Sequence, residues 1–311
     1  MALKQEISSQ KTSSGDLSKR LVRYEDLIPC LDAFIDTRTP GSDKKENFTI
    51  IGPGVSENPN QHIHIAEPHG FNIGGARQPP GCTNSQHSHE TEEVFFVHSG
   101  DWAFRLGEHA TDAEIILKPG DLISIPTHVF RGFENVGSDI GYLWAVLGGD
   151  DPGRVLWAPK VFDMAQDYGL VLLENGNLVD TTAGESVPDN MTPMPRTTSE
   201  QIAALQVFDD DALAACCVCG GDQGLLIGPE GRLNWKHGFT VERLRQKSDD
   251  KSVAETQSVP DVLFLHEGAL DVTVDGETVS MRPGDTLTIP IGTERLFSTP
   301  SQADYLRVLG Q

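Results

Sequence analysis

The stretch EVFFVHSG, followed by KPGDLISIP and then YLWAVLG, recurs later in the chain as DVLFLHEG, RPGDTLTIP and YLRVLG. Gly120 to Pro126 spans the same interval as Gly284 to Pro290, and Gly100 corresponds to Gly268. A chain that repeats itself in this way uses one fold twice. Both copies consist of short runs of Val, Ile, Leu, Phe and Thr broken by Gly, Pro and Asp, the pattern of antiparallel strands joined by turns. Asp275-Gly276, between ALDVTV and ETVSM, is a two-residue hairpin signal. Pro-Gly-Asp at 119–121 and 283–285 turns the chain into the next strand. The expected fold class is all-β, with two barrels in tandem.

Within the first copy, GCTNSQHSHETEEVFFVHSG reads Gly-x5-His-x-His-x3-Glu-x6-Gly, with Gly81, His87, His89, Glu93 and Gly100 at the defined positions. Two histidines two apart on a strand share a face, and a carboxylate four further on keeps that parity, so the three side chains converge. Two imidazoles and one carboxylate suit Fe(II), with Mn, Zn, Ni or Co as other occupants.

This run resembles the first signature motif of the cupin family at every defined position. The second cupin motif, Gly-x5-Pro-x-Gly-x2-His-x3-Asn, is met in part by GDLISIPTHVFRGFEN: Gly120, Pro126 and Asn135 fit, His128 replaces a Gly, and Arg131 replaces the His. The resemblance implies a bicupin, two jelly-roll barrels (double-stranded β-helices) with a partly helical connector. The expected organisation is a disordered 1–20, an N-terminal arm and metal-binding barrel over 21–150, a connector over 151–224, and a degenerate barrel over 225–311. In the second copy Glu255, Gln257 and Asp261 stand where His87, His89 and Glu93 stand in the first, so that barrel is read as structural.

Cupins usually take a fourth ligand from the second motif, which an arginine cannot supply, because its guanidinium stays protonated. Two readings of Arg131 follow: it clamps a substrate carboxylate beside the metal, or it pairs with Glu93 in a metal-free barrel. Arg295 occupies the equivalent position in the second copy. His128 is read either as a general base or as a turn residue. Asn84, Gln86, Trp102 and Arg77 are the other substrate-binding candidates, and Phe95, Phe104, Phe130 and Phe133 supply aromatic surface. His62 and His64 lack a suitably spaced carboxylate and read as an edge-strand pair. His98 and His266 are expected to cap their strands, and Cys216, Cys217 and Cys219 to be helix-end thiols.

The bicupin resemblance extends to ring-cleaving dioxygenases that act on gentisate and related hydroxy acids, which use three histidines where this chain has two and a glutamate. The implied activity is Fe(II)-dependent dioxygenation of a small anionic aromatic or enolisable substrate by O2. An isomerase, a lyase, or a non-catalytic barrel that binds a small acid or sugar uses the same residues. A net charge of −22 repels nucleic acid and anionic membranes. The polar N-terminus and five cysteines lead to the expectation of a cytoplasmic protein, and exposed barrel edges to that of a homodimer or larger homo-oligomer.

Overall fold

A computed structural model describes residues 17–250 and 253–311. The first barrel is two facing sheets, antiparallel throughout except that Glu46–Ile51 and Ile63–Ile65 run parallel. One runs, in spatial order, Val155–Trp157, Thr83–His89, Arg131–Asn135, Trp102–Leu106 and Ala113–Leu117. The other runs Cys217–Val218, Leu122–Ile125, Glu93–Ser99, Gly141–Gly148, Phe71–Gln78, Glu46–Ile51 and Ile63–Ile65. The second barrel repeats this plan, with Asp261–Gly268 and Gln302–Gly310 central in its larger sheet and Glu294–Ser298 in its smaller one. The Asp275-Gly276 hairpin forms as expected, with φ of 47° and 89°, the left-handed values that a two-residue hairpin of this type requires.

The larger sheets of the two barrels pack against each other. Gly141–Gly148 is buried along its whole length: Leu143 and Ala145 face the first barrel's interior, while Tyr142, Trp144 and Val146 join a core shared with Val262, Phe264, Leu306 and Val308. Trp144 stacks on Phe264 with ring centroids 4.7 Å apart. Burial on both faces removes the polar alternation that a half-solvated strand shows. His98 and His266 do not simply cap their strands. They meet across this interface, Nδ1 to Nδ1 at 3.3 Å.

Each barrel borrows a strand from upstream of the other. Leu21–Val22 pairs with Thr286–Ile289 of the second barrel, and Cys217–Val218 pairs with Leu122–Ile125 of the first. Both additions cover a strand edge that would otherwise be open. Residues 17–20, expected to be disordered, form a short 3-10 helix whose Leu17 is buried in the second core. The rest of that expected disordered stretch, 1–16, lies outside the described residues.

Val155–Trp157, in the expected connector, completes the first barrel's smaller sheet beside Thr83–His89. The connector's helices are Pro159–Asp167, Ser199–Ala203 and Asp210–Ala214, and Thr198 with Gln201 forms a reciprocal capping box. At the end of the third helix Cys216 is buried, Cys217 half-buried and Cys219 exposed. Among the described residues no helix is long and apolar enough to cross a membrane.

Candidate metal centre

The strand Thr83–His89 carries a bulge. Its neighbour pairs Arg131 with His87 and Phe133 with Asn84, so three steps on one strand answer two on the other. The extra residue shifts the side-chain alternation, and Asn84 joins His87 and His89 on the wall of an interior cavity. Glu93 arrives differently from the sequence expectation. The first strand ends at His89 and the next begins at Glu93, in the opposite sheet. Convergence of the three residues is therefore a property of the barrel and not of parity along one strand.

One nitrogen or oxygen from each of His87, His89 and Glu93 lies within 4.8 Å of the others, and all three residues are buried. His89 Nε2 is 3.3 Å from Glu93 Oε2. His87 Nδ1 lies 2.7 Å from the Ser85 carbonyl, so it carries the proton and leaves the Nε2 lone pair available. His89 Nδ1 is buried without a partner among the described residues. Burial first and then Arg131 push His87 down to about 3, and burial, Arg131 and His87 hold His89 well below the usual range. Both imidazoles are neutral at neutral pH, the form a metal ligand needs. Burial pushes the Glu93 carboxyl up, and Arg131 opposes that shift. Two neutral imidazoles and one carboxylate, with an unpartnered ring nitrogen among them, fit a divalent transition metal.

Arg131 is fully buried and donates from Nη2 to Glu93 Oε2 at 2.9 Å, the same oxygen that faces His89. It does not line the cavity, so the expected substrate clamp is corrected: the guanidinium acts on Glu93. His128 is exposed, with φ of 61°, and its backbone N–H points to the His89 carbonyl. It lies in a turn and does not line the cavity. Gln86 turns away from the cavity to the carbonyls of Arg105 and Gly107 at 3.0 and 2.8 Å. Trp102 is core, donating to the Ser99 carbonyl. Arg77 pairs with Glu46 and sits over the rings of Tyr24 and Phe48. Neither lines the cavity. His62 and His64 lie at the sheet edge, ring centroids 4.5 Å apart, as expected.

Only Asn84 of the substrate-binding candidates reaches the cavity. Phe34, Phe48, Val55, Phe95, Phe133 and Trp157 form much of its wall, and among the described residues no lysine or arginine does. Trp157 lies against His87 with ring centroids 5.3 Å apart, and its Nε1 donates to Glu57 at 2.6 Å. Burial pushes the Glu57 carboxyl up to about 8. Asp36 and Lys45 form a fully buried ion pair behind Asn84. The sequence reading missed Phe34, Asp36, Lys45, Glu57 and Trp157. They come from the arm and connector, outside both motifs, and DTRTPGSDKKEN reads locally as a solvated loop.

In sequence, residues 76–146 match the Cupin_2 family, described as a cupin domain. Residues 253–309 match a second family, described as ethanolamine utilisation protein EutQ. The fold is that of two cupin-like barrels in one chain, and the cupin family model covers the first of them. No curated protein matches the bicupin in sequence. Among solved structures, oxalate decarboxylase from Lactobacillus farciminis in its formate complex is 10% identical over 94% of this chain and 86% of its own, with a TM-score of 0.55. Procruciferin, an 11S globulin from Brassica napus, is 13% identical over 86% of this chain and 80% of its own, with a TM-score of 0.52. Salicylate 1,2-dioxygenase from Pseudoaminobacter salicylatoxidans, in adduct with gentisate, is 15% identical over 77% and 68%, and its TM-score of 0.49 is too low to bear on the site. A decarboxylase and a globulin on one scaffold show that the bicupin's activity must be argued from its own residues.

Proposed function

We propose that this bicupin is a mononuclear metal enzyme, a non-haem Fe(II) dioxygenase acting on a small aromatic or enolisable substrate. The observation that carries the reading is the convergence of His87, His89 and Glu93 within 4.8 Å at a buried, largely apolar cavity. Those three side chains would hold the metal. Fe(II), when bound, supplies the one-electron chemistry that O2 requires before it reacts with an organic molecule. Arg131 orients Glu93 and offsets its charge. Ser85 fixes the His87 tautomer, and the Phe34, Phe95 and Phe133 rings exclude water from the reacting groups. Any negative charge on the substrate would rest on the oxygens it presents to the metal, because no cationic side chain lines the wall.

A second reading, a metal-free barrel that binds a small molecule, is favoured by the recurrence of the Arg131–Glu93 pair as Arg295–Asp261 in the other barrel. Elemental analysis after anaerobic reconstitution with Fe(II) separates the two. The metal reading expects one equivalent in the native protein and none in His89→Ala. Oxygen uptake across hydroxybenzoates and diketones then tests the oxygenase step. No bound metal in the native protein, with the fold intact, leaves the second reading.

A further inference from the structure

Asn84 is 7% exposed and shares the cavity wall with the three ligands. Lys45 Nζ lies 3.0 Å from its Oδ1. An ammonium only donates, so the amide atom that meets Lys45 is the oxygen, and the amide's orientation is fixed by chemistry. The NH2 group is left on the other side of a side chain that lines the cavity. Lys45 is itself immobilised. It is fully buried, paired with Asp36, and stands 5.4 Å above the Phe34 ring. Asp36 is held in turn by the Ser85 N–H at 3.0 Å and the Ser42 hydroxyl at 3.3 Å. A buried ion pair is a costly way to fill space. What this one achieves is to aim one amide.

A second donor faces the same space. Asn47 lines the cavity, and its Nδ2 is buried without a partner among the described residues. The wall thus offers N–H donors and apolar surface, with no lysine or arginine. A ligand oxygen finds hydrogen bonds there, whereas an extra carboxylate loses its water and gains no counter-charge.

We infer that Asn84, aimed by the Asp36–Lys45 pair, is the specificity-determining residue of this cavity, selecting an oxygen chelator of the β-dicarbonyl class, which carries no charge beyond its metal-facing oxygens, over a dicarboxylate. The inference rests on the metal reading above. Pentane-2,4-dione and malonate make a matched probe pair, with the same three-carbon spacing of oxygens and each of the two methyls replaced by an oxyanion. The full-length protein loaded with Co(II), whose visible absorption reports its ligands, is titrated with each. The dione is expected to shift the spectrum and to bind more tightly than malonate.

Asn84→Asp is nearly isosteric and still accepts from Lys45, but it turns an oxygen toward the cavity in place of the NH2. It is expected to keep its Co(II) and its melting temperature while weakening the dione by about 10- to 100-fold, the loss of a hydrogen bond to a charged or strongly polarised oxygen. Asn47→Ala, which leaves the Lys45–Asn84 bond in place, weakens the dione on the same grounds and serves if the aspartate variant misfolds. Native-like dione binding by a folded Asn84→Asp, or by Asn47→Ala where the former does not fold, overturns the inference. So does tighter binding of malonate, or Co(II) retention with no response to the dione. Failure of the native protein to retain Co(II) overturns the metal reading itself, and this inference with it.

Discussion

In the first barrel Arg131 meets Glu93 across from His87; in the second, Arg295 meets Asp261 across from Glu255. The positions correspond strand by strand: Arg131 pairs in register with His87 as Arg295 does with Glu255, and Glu93 with Ile125 as Asp261 does with Ile289. Asp261 has a second cation, Arg307, with contacts at 2.6 and 3.0 Å, and Arg307 also reaches Glu255. Glu93 faces two neutral imidazoles instead. The difference teaches that the buried arginine–carboxylate pair belongs to the shared architecture, while the histidines and the cavity beside them belong to one barrel. At the corresponding positions the second barrel has two carboxylates, Glu255 and Asp261, that Arg295 and Arg307 neutralise.

The comparison breaks most visibly at the arginines. Removing one member of a buried ion pair costs about 3–5 kcal/mol, because the other charge stays behind. Arg131→Leu is expected to reach that range in denaturation, whereas Arg295→Leu falls short of it because Arg307 still holds Asp261. Added divalent metal should restore stability to Arg131→Leu, where it replaces the lost cation, and do nothing for Arg295→Leu. Equal losses with no metal rescue would show the barrels to be electrostatically alike.

A smaller effect comes from the histidine contact between the barrels. Burial first, and then His266, push His98 down to about 4. The unfolded imidazole takes up a proton below about 6.5 and the folded one only near 4, so stability is full above 6.5 and is lost as pH falls from 6.5 toward 4. Melting curves of His98→Phe over that interval should decline less steeply than native, by up to about 1.4 kcal/mol per pH unit. Identical slopes would remove His98 from the acid response.

The smallest expected change is at the turn. His128 and Gly292 hold the same place, each with positive φ and each directing its N–H to the carbonyl of the second-histidine position, His89 or Gln257. A side chain in that region costs about 1 kcal/mol. His128→Gly should gain that amount and Gly292→His should lose it, with metal content unchanged in both. Loss of metal in His128→Gly would return His128 to the site.

Much of the fold was legible because its signals are local. The Asp275-Gly276 turn and the strand and turn signals that make up each copy of the repeat depend on neighbours in sequence, and each forms. The cluster of His87, His89 and Glu93 was legible for the same reason, since all three sit within one motif. The wall around them was not. Trp157 comes from the connector and Phe34 from the arm, and a strand pairing or a ring contact across such a distance leaves no trace in local periodicity. Arg77, Gln86 and Trp102 stood near the motif in sequence yet face elsewhere, because strand alternation and a single bulge decide which side a residue takes.

The sequence by itself determined that one β fold occurs twice and that only the first copy has imidazoles to offer a metal, since repetition and residue chemistry are written in the chain. Tertiary structure alone decided that Glu93 joins the histidines from the opposite sheet, that Arg131 acts on Glu93 and not on the cavity, and that Lys45 aims Asn84 into it. Those are matters of direction between strands far apart in sequence, and direction is set only when the sheets close on each other.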